Sequence, residues 1–282
     1  MATERELQDI SNILRRDILK MTSEAGSGHL SSCLSCAELM SVLFFNEMAY
    51  DVKNSDNPDN DEFILSKGHA APILYASLYR VGCIKQNLLG LRKLQSTLEG
   101  HPIPSSLLPW IKIATGSLGQ GLSIGIGMAF AAKFQKRNFR VYTLLGDSEC
   151  SEGSVYEALQ LASYYKLNNL IAIIDVNRLG QTGETMLGHD IKKYESRFKE
   201  FGWDPICVNG HNIKQILDAF DKARKSDKPS VIIAKTLKGK SVKFIEDKNG
   251  WHGKALSKKE LEKALKLIPE PKMTEIKIRL TV

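Results

Sequence analysis

The run Arg140-Val141-Tyr142-Thr143-Leu144-Leu145-Gly146-Asp147 and its successor Leu170-Ile171-Ala172-Ile173-Ile174-Asp175-Val176-Asn177 decide the fold. Both are apolar almost without a break, and both end on a side-chain oxygen. A strand exposed on one face alternates apolar with polar residues. An unbroken run marks a strand covered on both faces, as in a parallel sheet sandwiched between helices. Between the two runs, residues 154–165 read as the crossover helix. The same logic assigns strands to 63–65, 205–208 and 231–234, and a helix to 213–224. The expected fold class is α/β: a parallel sheet flanked by helices on both faces.

Toward the N-terminus, Leu7, Ile10, Leu14, Ile18 and Met21 recur at the three- and four-residue steps of one helix face. Thr3 and Glu6 have capping-box spacing. Gly26-Ser27-Gly28-His29 ends that helix. An apolar segment at 37–48 reads as helix, 54–61 with Pro58 as a polar loop, and 72–79 and 86–98 as further helices. The glycine-rich turn Thr115-Gly116-Ser117-Leu118-Gly119-Gln120-Gly121 opens a small-residue helix reaching about Lys136. Ser257 and Glu260 suggest a second capping box on a helix over 257–267, and no element is legible beyond Pro269-Glu270-Pro271. One domain is expected over 1–268, followed by a tail at 269–282.

The 282 residues leave room for one large domain or two small ones, at roughly 100–200 residues each. Hydrophobic residues at 43% and charged residues at 25% exclude global disorder. No run approaches the roughly 18–20 apolar residues of a membrane span. The charged start Met1–Asp9 has no apolar segment of the kind a secretory signal carries. An odd count of five cysteines suits a reduced, cytoplasmic setting. The net charge of +7 suits an anionic partner (nucleic acid, acidic membrane or phosphorylated small molecule) or is simply a solvated basic surface.

Of the six histidines, His29, His69, His101, His189 and His211 each follow a glycine, and His252 precedes Gly253. Glycine permits tight turns, and imidazole titrates near neutrality, so these pairs read as loops presenting imidazoles. For His189 and His211, in polar loops, ordinary surface histidines suffice. Asp147 and Asn177 each stand just past a strand's carboxyl end, where parallel sheets gather ligands. A carboxylate and a carboxamide so placed can converge on Mg²⁺ or Ca²⁺; equally, Asp147 can be a plain helix cap. The turn at 115–121 could bring backbone N–H groups to a phosphate, but it matches neither the dinucleotide nor the nucleoside-triphosphate glycine pattern. Cys33-x-x-Cys36 has no second pair, so an apolar helix face explains it better than zinc. The absence of G-x-S-x-G, or of any outstanding nucleophile, points to chemistry supplied by a cofactor.

Gly146-Asp147 followed thirty residues later by Asn177 resembles the thiamin-diphosphate-binding motif. Gly26-Ser27-Gly28-His29, Ser66-Lys67-Gly68-His69-Ala70, Gly100-His101-Pro102, the turn at 115–121 and Trp251-His252-Gly253 look like the transketolase family, in the same order. Asn177-Arg178-Leu179-Gly180-Gln181 and Ile233-Ala234-Lys235-Thr236-Leu237-Lys238-Gly239 are similar to its animal-type branch. The resemblance covers about residues 5 to 265. It implies thiamin diphosphate with Mg²⁺ (or Ca²⁺), and transfer of a two-carbon ketol unit from a ketose phosphate to an aldose phosphate. By the same resemblance, Asp147, Asn177 and the Leu179 carbonyl hold the metal. Ser32, His69, Gly116, Ser117, Leu118, Ser148, Asn177, Gln181, Lys238 and His252 contact the cofactor. His29, His101 and His252 face the sugar and share proton transfers. Glu152 sits at a subunit interface and supports the carboxylate that activates the cofactor.

The chain departs from the family pattern at Ser148, where glycine is usual, at Leu30, where proline is usual, and in length. It matches only the diphosphate-binding domain. The resemblance therefore implies the N-terminal subunit of a split transketolase, needing a pyrimidine-domain partner chain in a heterotetramer, or a homodimer. The implied ligands are phosphorylated sugars, not nucleic acid or a membrane. The rival readings are a non-catalytic regulatory or truncated transketolase-like protein, and half of a related thiamin-diphosphate enzyme.

Overall fold

The computed structural model describes residues 2–271. The expected tail beyond Pro271 lies outside the described residues. Helix α1 (Glu4–Ala25) opens the chain with Thr3 as its cap, in a capping box completed by Glu6, and stops at Gly26 in the left-handed conformation. Such a cap satisfies two amide groups that the first turn would otherwise leave unpaired. Two short helices follow, α2 (Leu30–Ser35) and α3 (Ala37–Val42). Then come β1 (Glu62–Leu65), α4 (Ala71–Arg80), α5 (Gln120–Phe134) and β2 (Val141–Gly146). The second half is α6 (Gly153–Tyr164), β3 (Leu170–Val176), α7 (Ile191–Glu200), β4 (Asp204–Asn209), α8 (Ile213–Lys225), β5 (Ser230–Lys235) and α9 (Lys258–Leu267).

The five strands make one sheet of order β1-β2-β3-β5-β4, with every pairing parallel. Every residue of β2 and β3 is buried, which is why both read as unbroken apolar runs. Alternate residues feed two separate cores. Tyr142, Leu144, Ile171 and Ile173 face a cluster with α1, α3, α4 and α8. Val141, Leu145, Leu170 and Ile174 face a cluster with α5, α6 and α7. Helices therefore cover both faces, and the sheet's carboxyl edge is left open for a site.

One local expectation needs correction. Residues 86–98 are not a helix; only the single turn Leu88–Gly90 forms. Arg92 and Gln95 adopt left-handed backbone at φ 57° and 67°, which interrupts any helical run. The segment at 37–48 is helical as expected: α3 continues directly into a wider π-helical turn at Leu43–Glu47, closed by the Met48 amide on the Leu43 carbonyl. That turn carries Glu47 into the interior, where Tyr142 Oη donates to it at 3.0 Å and Arg224 pairs with it. The polar stretch at 191–200, to which the sequence pattern assigns no element, forms α7. Only Tyr194 and Phe198, one turn apart, are buried along it, too few for a clear periodic signal.

Candidate functional site

Asp147 directly follows β2, Asn177 directly follows β3, and Thr236 to Lys238 directly follow β5. Because those three strands are neighbours in the sheet, their ends meet at one pocket. The cavity has a volume of about 250 Å³. Of the residues singled out from the sequence, it is lined by His29, Ser32, His69, His101, Gly116, Leu118, Asp147, Ser148, Asn177, Leu179, Gln181, Lys238 and His252. Ser117 and Glu152 do not line it, and both are exposed. Glu152 instead stands at the start of α6.

Four imidazoles from four distant loops cluster here. The His29 ring centre lies 5.0 Å from that of His69, 4.8 Å from His252 and 6.4 Å from His101. Burial and the neighbouring positive charges of Arg92, His101 and Lys238 push the His29 pKa down to about 4. Burial and Lys238 bring His252 down to about 3. All four rings are shifted toward the neutral form. Neutral imidazoles can accept a hydroxyl proton at pH 7. His29 Nδ1 is buried without a hydrogen-bond partner among the described residues, the mark of a group awaiting a ligand.

Oxygens concentrate opposite the imidazoles. Asp147 Oδ1 accepts the Ser148 amide at 2.9 Å, so it does cap the turn Ser148–Ser151. Its Oδ2 accepts the Arg178 amide at 2.5 Å, which Arg178 presents by adopting φ 63°. Burial and the nearby Asp175 charge raise the Asp147 pKa to about 7. A carboxylate held at that cost is stabilised by a cation. Lys238 Nζ donates to the Leu179 carbonyl at 2.6 Å and to Gly180 at 3.1 Å, and lies 3.0 Å from His252 Nδ1. Burial and the positive charge of Lys67 act against its own charge and lower its pKa to about 8. Capping and ligand placement are thus compatible roles for Asp147.

Two further groups reach the floor of the pocket: Glu149, which no motif singles out, and Lys67, which belongs to the run at 66–70. Glu149 Oε1 accepts Ser66 Oγ and the Gly119 amide at 2.8 Å, and its Oε2 accepts the Gly146 amide at 3.1 Å. One carboxylate thereby ties together the loops at 66–69, 115–121 and 146–148. Lys67 Nζ donates to Asp175 Oδ2 at 2.6 Å and to the Ser32 carbonyl at 2.9 Å. Both carboxylates face partners far away in sequence, so no local pattern announces them. His189 and His211 are not free surface histidines: each bonds to the segment that carries Lys238. Cys33 and Cys36 are buried and free, packed in the core as an apolar face requires. Among the described residues no helix is long and apolar enough to cross a membrane.

A parallel α/β sheet with a charged pocket at its strand ends is the architecture of a cofactor-binding domain. The family model "Transketolase, thiamine diphosphate binding domain" matches residues 6–273, and the chain belongs to that family. It is 49% identical over 264 residues to the transketolase of Pongo abelii, covering 93% of this chain and 42% of that protein. It is also 49% identical over 269 residues to transketolase-like protein 2 of Mus musculus, with 94% and 43% covered. A crystal structure of transketolase from Campylobacter jejuni superimposes with TM-score 0.87 at 33% identity, over 94% of this chain and 43% of that one. The chain thus spans less than half the length of these relatives.

Proposed function

We propose that this chain is the diphosphate-binding part of a transketolase, acting on phosphorylated sugars together with a pyrimidine-domain partner. The observation that carries this reading is the convergence of Asp147, Asn177, the Leu179 carbonyl and four imidazoles on one pocket. The residues fit the cofactor: an unpartnered buried imidazole nitrogen, a cluster of oxygens and a buried ammonium face one cavity. Asp147, Asn177 and Leu179 would hold Mg²⁺ (or Ca²⁺), as oxygen donors suit a hard cation. Ser32, His69, Gly116, Leu118, Ser148, Gln181, Lys238 and His252 would line the bound thiamin diphosphate, with Ser117 beside them. When bound, that cofactor supplies the electron sink that lets the ketose carbon–carbon bond break. Lys238 would offset the diphosphate charge, releasing the Leu179 carbonyl to the metal. His29, His101 and His252 would accept and return the sugar's hydroxyl protons, being kept neutral by burial.

Partner dependence has its own support. Phe134, Tyr164, Leu161, Tyr165 and Phe130 are 82%, 78%, 49%, 45% and 42% exposed along the paired helices α5 and α6. So much aromatic surface on adjacent helices suits a protein interface. Glu152, at the head of α6, would lie at its edge and support the activating carboxylate of the partner. A cytoplasmic setting fits the free thiols.

The test is titration of thiamin diphosphate with and without Mg²⁺, followed by mixing with a chain carrying the remaining transketolase domains and assaying ketol transfer. Asp147→Ala should abolish Mg²⁺-dependent binding, and unchanged binding would overturn the metal assignment. A second reading, a non-catalytic binding protein, draws on Ser148, whose side chain lines the pocket. It predicts that the chain lowers the activity of a full-length transketolase when titrated into it.

A further inference from the structure

Two imidazoles outside the pocket grip the segment that carries Lys238. His189 Nε2 lies 2.8 Å from the Thr236 carbonyl, so it donates. His211 Nε2 lies 2.9 Å from the Leu237 amide, so it accepts. An accepting Nε2 places the His211 ring proton on Nδ1. Nδ1 is 3.0 Å from Glu38 Oε2 and donates there. Glu38 is 2% exposed and pairs with Arg15 at 2.6 Å, and burial is outweighed by Arg15 and His211, which keep its carboxyl ionised. The contacts run from Arg15 on α1 to Glu38 on α3, to His211 in the turn before α8, and end on the residue preceding Lys238. The segment is fixed a third time, because the Thr236 hydroxyl donates to Asp175.

A histidine needed only for packing could bond anything. This one is fixed in one tautomer by a carboxylate on one nitrogen and a backbone amide on the other. The rotation and height of Leu237, and therefore the direction in which Lys238 leaves the chain, follow from that ring.

We propose that His211, assisted by His189, is a positioning residue that aims Lys238 into the pocket, and hence, given the thiamin-diphosphate reading above, at the cofactor's diphosphate. The groups facing His211 are Glu38 on α3, backed by Arg15 on α1, with Lys235 and Lys240 along the groove it lines. None of these alone could replace the acceptor at Nε2.

The experiment uses the whole chain, His211→Phe and His211→Gln, with two readouts. Nitrogen NMR of the wild type should show His211 protonated at Nδ1. In H211F, hydrogen exchange at Leu237 and Lys238 should speed up at least about tenfold while 231–234 in β5 are unchanged, and the Kd for thiamin diphosphate with Mg²⁺ should rise about tenfold. H211Q, with an amide oxygen near the Nε2 position, should recover the wild-type values to within about threefold. An Nε2-protonated tautomer, or exchange unchanged at Leu237, overturns the proposal; so does exchange accelerated equally along β5, which is what a purely structural role produces. If H211F does not fold, the tautomer and H211Q still decide. If the wild type binds no thiamin diphosphate, the cofactor reading fails, while exchange and tautomer still judge the positioning role.

Discussion

Lys67 and Asp175 form an ion pair of 2.6 Å in which the two side chains are 1% and 0% exposed. Asp175 also accepts Ser35 Oγ, Asn177 Nδ2 and Thr236 Oγ1. Burial opposes both charges, but each partner outweighs it for the other: the ammonium is held above its ordinary pKa and the carboxylate below. The pair thus pins the floor of the pocket to three strand ends. Removing one partner leaves the other charged and dry, which costs about 3–5 kcal/mol. Lys67→Met and Asp175→Asn should each destabilise by that amount in urea unfolding, and the double variant by clearly less than the sum. A cost under about 1 kcal/mol for either single change would show that the charge is not needed there.

Gly68 lets the loop at 66–69 touch the loop at 115–121. A methyl group on Gly68 would stand 2.7 Å from the Thr115 carbonyl carbon and 2.6 Å from its hydroxyl. Backbone cannot yield as a flexible side chain does, so Gly68→Ala should cost about 1–3 kcal/mol and weaken binding of thiamin diphosphate. Gly127 is the contrast: it lies within α5, and a methyl group there meets nothing within 4 Å. Gly127→Ala should gain about 0.5–1 kcal/mol by removing chain entropy from the unfolded state. Thermal unfolding of the two variants side by side checks the opposite signs.

These examples also show where the sequence is readable. The sheet was legible because parallel strands buried on both faces are apolar nearly throughout, with Thr143 the polar exception inside β2 and Asp175 near the end of β3. Asp147, Asn177 and Lys238 were legible because strand ends are where such sheets bind ligands. Glu149 and Lys67 were harder, because their work is done across the fold, with partners 83 and 108 residues away. His211 looked like a loop histidine until Glu38, 173 residues earlier, was placed against it. Residues 86–98 misled because Leu88, Leu91 and Leu98 are buried at nearly helical intervals while the backbone between them turns left-handed.

The imidazole cluster makes stability depend on pH in a defined sense. His29, lowered from 6.5 to about 4 by burial and then by Arg92, binds its proton less readily folded than unfolded. Its contribution is therefore fully present above 6.5 and is lost as pH falls through about 4. Asp147, raised from 3.8 to about 7 by burial and then by Asp175, acts in the opposite sense: its contribution is lost as pH rises through about 7. Variants separate the two. The stability of the wild type relative to His29→Asn should decline between pH 6.5 and 4, whereas relative to Asp147→Asn it should decline between pH 4 and 7. Denaturant titrations at three pH values test both slopes, and a flat difference for His29→Asn would mean that its ring titrates as it does in water.

Ser148 narrows the pocket in which the proposed diphosphate would sit. It follows Asp147, lines the cavity, and its hydroxyl lies close enough to Gly180 that a methyl group there would stand 3.1 Å from it. Its amide is already spent on Asp147 Oδ1. The side chain therefore adds volume between the two loops expected to embrace the diphosphate, and leaves the amide geometry as it is. Removing it relieves crowding and frees the backbone to approach the ligand. Ser148→Gly should tighten thiamin diphosphate binding by up to about tenfold, the equivalent of about 1.4 kcal/mol, with little change in Mg²⁺ dependence. If calorimetry instead shows weaker binding, the hydroxyl is a ligand to the phosphate, and the serine is an adaptation rather than an obstruction.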